Sequence, residues 1–189
     1  MDNICPITST QFVETRIDLL KFLPNNIRIA ELGVHQGNFS KEILDIVRPK
    51  ELYLVDYFKG CVMSGDKDGY NETTVNLEEQ YKALKILYRN KGNVKIVKSS
   101  TKEFLESLPN FYLDAIYIDA NHSYHAVSED LDLSIQKVKQ KGYILGHDYT
   151  ELYGSGGTIV AVNEFVQKNN LILNYLSKDR CPSYFIKLV

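Results

Sequence analysis

Two short stretches of this chain carry residues that could do chemistry together, Asp119-Ala120-Asn121-His122 and His147-Asp148. Each follows an apolar run of the kind that forms a buried strand, Leu113–Ile118 and Tyr143–Leu145. If those strands are neighbours, their ends lie about 4.7–4.9 Å apart, and Asp119 and Asp148 converge on one spot. Two carboxylates that close repel, so either one takes a proton or a cation sits between them. A divalent ion held by Asp119, Asp148 and His147 is the economical solution. Taken singly, each residue also has a plainer reading, since a strand-end Asp often caps a helix and a His in a turn is commonly a surface residue. Four of them at two adjacent strand ends are harder to dismiss. His125 and Asp130, inside the next helical stretch, read as packing or solvent-facing residues.

A second constellation lies earlier. Glu31-Leu32-Gly33-Val34-His35-Gln36-Gly37-Asn38-Phe39-Ser40 follows the apolar run from Ile27 to Ala30. It reads as a strand, a glycine turn and a helix opening near Asn38, an arrangement that brings a small cofactor against bare backbone at a helix N-terminus. A nicotinamide-binding turn would read G-x-G-x-x-G; this one reads acidic-x-Gly-x-x-x-Gly, which suits a cofactor with no pyrophosphate. Asp56 closes the next strand, about 20 residues on, where a carboxylate meets a ribose in dinucleotide folds. Its plainer role is to cap the turn that follows. Ser99-Ser100-Thr101 ends a third strand. Its hydroxyls could meet an adenine edge, or Ser100 could cap the following helix with Glu103.

The elements that must position these residues alternate. Strand patterns at Ile27–Leu32, Leu52–Val55, Val94–Val97, Leu113–Ile118 and Tyr143–Leu145 are separated by helix patterns at Phe39–Val47, Leu77–Arg89, Lys102–Leu108 and Ala126–Val138, and Ile159–Gln167 follows as a further helix. Leu171–Leu176 and Tyr184–Val189 are strand-like with no helix between them, so they pair antiparallel. The reading is an α/β chain with a Rossmann-like, doubly wound, mostly parallel seven-stranded sheet ending in an antiparallel hairpin. An amphipathic helix is expected over Thr10–Phe22 ahead of the first strand. Lys59–Thr74, rich in Gly, Asp, Ser and Asn, reads as a lid carrying Tyr70, with Tyr57 and Phe58 beside it and Tyr149–Gly157 as the opposite wall.

At 189 residues, 44% hydrophobic and 24% charged, the composition is that of one globular domain. A formal net charge of −2 and the lack of a basic run argue against nucleic acid as partner. The apolar runs are too short for a membrane span. Met1-Asp2-Asn3 does not open a signal-peptide pattern, and Cys5, Cys61 and Cys181 show no C-x-x-C pair, so a reducing, cytoplasmic setting is expected.

The strand ends and antiparallel tail, over about Ile27 to Val189, resemble the class I S-adenosylmethionine-dependent methyltransferases. The resemblance implies a helical extension over 1–26 and the methyltransferase domain over 27–189. It implies that Glu31, Gly33, Gly37 and Ser40, with Val34 and Asn38 of the same turn, surround the methionine part of S-adenosyl-L-methionine. Asp56, with Tyr57 beside it, would hold the ribose, Ser99 and Ser100 would lie near adenine, and Asp119 would also face the cofactor. The pattern Asp-x-x-His-x-Tyr followed by His-Asp-Tyr is similar to a narrower group, the macrocin and other sugar O-methyltransferases. There an Asp matching Asp119 and an acidic pair matching positions 147 and 148 bind magnesium, and a His matching His122 is the general base. His147 departs from that pattern, since imidazole favours manganese, iron or zinc, so Mg2+ and Mn2+ both remain open. The expected function is divalent-metal-assisted O-methylation of a small hydroxylated acceptor, a sugar ahead of a phenol. A nicotinamide-dependent oxidoreductase and a non-catalytic cofactor-binding module are the alternatives. The missing G-x-G-x-x-G counts against the first, the Asp119/His122/Asp148 set against the second. The N-terminal helix is left to pack on its own domain or to pair two copies, with a homodimer expected.

Overall fold

The computed structural model describes residues 9–64, 73–152 and 156–189. Among the described residues, ten strands and six helices follow in the order β1 (Gln11–Val13), α1 (Arg16–Leu20), β2 (Arg28–Leu32), α2 (Asn38–Val47), β3 (Glu51–Asp56), β4 (Cys61–Ser64), β5 (Thr73–Asn76), α3 (Leu77–Leu87), β6 (Val94–Lys98), α4 (Thr101–Ser107), β7 (Leu113–Ile118), α5 (Tyr124–Lys137), β8 (Val138–Gly146), α6 (Gly156–Lys168), β9 (Leu173–Ser177) and β10 (Tyr184–Lys187). Eight strands form the main sheet in the order β1-β9-β10-β8-β7-β2-β3-β6. The pairs β2/β3, β3/β6, β2/β7, β7/β8 and β1/β9 are parallel, and β10 runs antiparallel to both β8 and β9.

Strand alternation divides the core. Ala30, Leu32, Tyr53, Val55, Ile116 and Ile118 face the layer of α4, α5 and α6. Ile29, Leu52, Leu54, Ala115 and Tyr117 face α1, α2 and α3. Both faces are covered, which is why these strands read as nearly continuous apolar runs. Helix α2 buries Phe39, Ile43 and Val47, spaced four apart on one stripe. Left-handed Gly37 opens it, and left-handed Arg48 closes it just before Pro49.

The expected hairpin is present, as β9 and β10. Two expectations are corrected. The sheet has eight strands, not seven, and the added strand comes from the segment read as a helix over Thr10–Phe22. Gln11–Val13 pairs parallel with Tyr175–Ser177 instead. A helix begins only at Arg16, where the Thr15 N–H and hydroxyl both donate to the Asp18 carboxylate. The apolar spacing misled because Phe12 is more than half exposed, while only Leu19, Leu20 and Leu23 of that stripe are buried. The described parts of the expected lid form the antiparallel hairpin β4/β5; Tyr70, and Tyr153 of the opposite wall, lie outside the described residues. Among the described residues no helix is long and apolar enough to cross a membrane.

The chain passes from β2 outward to β3 and β6, then returns to place β7 on the other flank of β2. Loops leaving β2 and β7 therefore diverge, and a crevice opens over their carboxyl ends, where doubly wound sheets take ligands.

Candidate active site

The ladder of the sheet continues past the strand ends and sets the site residues side by side. The N–H of Gly33 donates to Val55, that of Asp119 to Leu32, that of His147 to Ile118 and that of Ser99 to Asp56, all over 2.7–3.1 Å. Above them lies a cleft of about 740 Å3, within the range of sites for a nucleoside-sized ligand. Of the residues expected to bind cofactor, Glu31, Gly33, Val34, Asn38, Asp56, Tyr57, Ser99, Ser100 and Asp119 line it, as do His122 and His147. Gly37, Ser40 and Asp148 support the lining instead of forming it. Phe58 is wholly buried against Tyr81, a core residue and not an acceptor wall.

Gly33 is a glycine of necessity. Its φ is +88°, and a Cβ there would sit 2.0 Å from the Asp119 carbonyl oxygen, so the turn after β2 can lie against the turn after β7 only without a side chain. Beneath the turn, buried Glu31 accepts a hydrogen bond from the Ser40 hydroxyl. Burial pushes its carboxyl up to about 8 despite that bond, so Glu31 is protonated at neutral pH.

Asp56 does more than one job. Oδ2 accepts from the N–H groups of Val34 and His35 at 2.9 and 3.0 Å, and Oδ1 accepts from Phe58 at 2.9 Å. The strand-end cap is thus present, and the same carboxylate ties down the glycine turn. Three of its roughly four lone-pair positions are taken, leaving one for a ribose hydroxyl. Ser100 is the cap of α4: its hydroxyl donates to Glu103, and the Glu103 N–H donates back to it. The Ser99 hydroxyl donates to the Ser100 carbonyl. Both hydroxyls are engaged locally, which leaves backbone at this strand end to meet a base.

At the opposite end Asp119, His122, His147 and Asp148 converge. His122 Nε2 lies 3.0 Å from Asp148 Oδ2 and 3.7 Å from Asp119 Oδ1. His147 Nδ1 lies 3.1 Å from the same Asp148 oxygen and 3.5 Å from Asp119 Oδ1. The close approach of the Asp119 and Asp148 carboxylates outweighs burial and raises His122 to about 10. Burial lowers His147, but the same two carboxylates prevail and raise it to about 9. Burial likewise opposes ionisation of Asp119 and Asp148, and the imidazoles overcome it and hold both below the usual carboxylate range. Asp148 sits in the left-handed region at φ +55°, an uncommon backbone state for a non-glycine residue that clusters at functional sites.

A divalent cation fits this corner. His122 Nε2 is buried without an aligned hydrogen-bond partner, its contact with Asp148 being close but badly directed. One ligand atom each from Asp119, His122 and Asp148 fall within 4.8 Å of one another. The compact trio therefore contains His122, where the sequence reading placed His147; His147 stands beside both carboxylates.

Thr101, read with Ser99 and Ser100 as a possible adenine contact, also lines the cleft, and sequence reasoning missed Arg16, Asn121 and Leu77 of the same lining. Asn121 lies inside a recognised motif and was within reach. Arg16 carried no signal, since it lies in a segment with no motif.

The comparisons agree with this architecture. A family model described as a methyltransferase domain matches residues 30–149. An uncharacterized protein of Acanthamoeba polyphaga mimivirus is 25% identical over 145 residues, covering 77% of this chain and 62% of its own length. This chain thus spans under two thirds of that relative. Among solved structures, a SAM-dependent methyltransferase from Aquifex aeolicus superposes with TM-score 0.63 at 12% identity, over 92% of this chain and 88% of that one. Precorrin-6y C5,15-methyltransferase from Geobacter metallireducens gives 0.61 at 13%, over 90% and 84%. Aeropyrum pernix fibrillarin, solved with natively bound S-adenosyl-L-methionine, gives 0.59 at 14%, over 90% and 72%. These likenesses concern the fold, while the family match spans most of the chain and both strand-end constellations. The chain belongs to the methyltransferase domain family.

Proposed function

We propose that this chain transfers a methyl group from S-adenosylmethionine to a hydroxyl of a small acceptor, with a divalent cation, Mn2+ or Mg2+, held by Asp119, His122 and Asp148. The observation that carries the reading is the unpartnered His122 Nε2 facing two carboxylates at one end of the cleft. A sugar is favoured over a phenol by the likeness of Asp119-x-x-His122-x-Tyr124 and His147-Asp148-Tyr149 to sugar O-methyltransferases. The slightly acidic chain does not favour a polyanionic acceptor.

S-adenosylmethionine supplies a methyl group on a sulfonium, an electrophile strong enough that the protein need only orient the acceptor and remove its proton. A divalent cation supplies Lewis acidity toward a hydroxyl. Gly33 and the backbone around it admit the cofactor, and Asp56 offers its remaining acceptor position to the ribose. His147 Nδ1 lies 3.1 Å from Asp148 Oδ2; a cation held by the carboxylates would offset the negative charge that keeps this imidazole protonated, and would free it to take the acceptor proton. This exchanges the two imidazole roles read from the sequence, with His122 as ligand and His147 as base.

Transfer of radiolabelled methyl groups to a panel of sugars and catechols tests the reading. Activity should need Mn2+ or Mg2+ and collapse with a chelator. His147→Ala should lower turnover ~10²–10⁴-fold while cation binding persists, and His122→Ala should weaken cation binding itself. Full activity in chelator with both variants would sink the mechanism.

A further inference from the structure

Arg16 is, among the described residues, the sole arginine or lysine lining the cleft, whose acidic lining is Glu31, Asp56 and Asp119. It comes from the segment ahead of the core sheet and is held on three sides. Its backbone N–H donates to Asp179 at 2.5 Å. Its guanidinium lies over the Phe39 ring at 4.6 Å and beside the Tyr117 side chain. The approach to Asp119 Oδ2, at 3.7 Å, is too long to be a hydrogen bond. A guanidinium has five N–H donors in a fixed fork, so most of them remain available, and a third of the side chain is exposed to the cleft.

Its neighbours in the lining place it at one end. Glu31, Phe39 and Asp119 surround it, whereas Asp56 and Ser99–Thr101 occupy the nucleoside end. We propose that Arg16 grips the α-carboxylate of the amino-acid portion of S-adenosylmethionine, so that the β1–α1 segment completes the cofactor site. The inference rests on the cofactor reading given above. It follows from placement: a carboxylate entering beside Phe39 and Asp119 meets the guanidinium of Arg16, and a planar fork matches that group in a bidentate way.

Calorimetry with two probes separates the possibilities. S-adenosylhomocysteine carries the amino-acid portion, and 5′-methylthioadenosine keeps the nucleoside and lacks it. Arg16→Met should weaken S-adenosylhomocysteine about 10- to 100-fold and leave 5′-methylthioadenosine within about twofold. Arg16→Lys should recover part of the loss, since charge returns without the fork. Unchanged binding of the nucleoside probe also reports that the variant cleft is folded. Equal weakening of both probes would make Arg16 a support of the fold, and undiminished S-adenosylhomocysteine binding would remove it from the site; either overturns the proposal. If the wild-type chain binds neither probe, the cofactor reading itself fails and this inference with it.

Discussion

At the scale of single residues, the site depends on where side chains are forbidden as much as on where they are present. Gly33 and Gly60 share a left-handed backbone, φ +88° and +84°, but only Gly33 has backbone within contact of a would-be Cβ. Gly60→Ala should cost about 1–2 kcal/mol, the ordinary penalty of a left-handed alanine. Gly33→Ala should cost distinctly more, about 3 kcal/mol or above, because β2 and β7 must also part; denaturant unfolding of the two variants gives the comparison. Glu31 makes a second prediction. Its pKa in the fold, about 8, exceeds the ordinary 4.5. Its contribution to stability is therefore full below about pH 4.5 and is lost as pH rises through about 8. Glu31→Gln should gain stability relative to the parent across that window and show no further change outside it. Parallel pH profiles of both proteins would refute this burial account.

At the scale of elements, each motif does its chemistry through the cap or turn that holds it. Ser100 is the clearest instance, because its hydroxyl closes a reciprocal box with Glu103 at the start of α4. Ser100→Ala should cost about 1 kcal/mol of stability and leave S-adenosylhomocysteine affinity within about twofold. A selective loss of affinity would instead make the hydroxyl an adenine contact. The strand-end motifs were legible because each is local: a buried apolar run, then Gly33, Asp56, Asp119 or Asp148 at its end. The antiparallel tail was legible from the missing helix between its strands. The N-terminal segment was not, because three residues of strand and five of helix are too short to show a period, and β1 exists only through its distant partner β9. Arg16 was hidden for the same reason, as its place in the cleft is set by tertiary contacts with Phe39, Tyr117 and Asp179.

At the scale of the molecule, strand order makes the site. Placing β7 on one flank of β2 and β3 on the other brings Asp119, Gly33 and Asp56 to one crevice from three separate parts of the chain. Adding β8 beyond β7 brings Asp148 within reach of His122. Sequence could state that convergence only as a condition, that the strands ending at Asp119 and Asp148 be neighbours, and the fold meets it. Which imidazole joins the carboxylates was beyond sequence, since it depends on ring placement and not on spacing. The measurement that bears most directly on the account is a Mn2+ titration followed by electron paramagnetic resonance, with S-adenosylhomocysteine present. Asp148→Asn is the control variant, because asparagine tolerates the left-handed backbone that Asp148 adopts. One saturable Mn2+ site in the parent chain, weakened at least tenfold in the variant, is the predicted result. No saturable binding, or equal binding by both proteins, would contradict a cation at Asp119, His122 and Asp148.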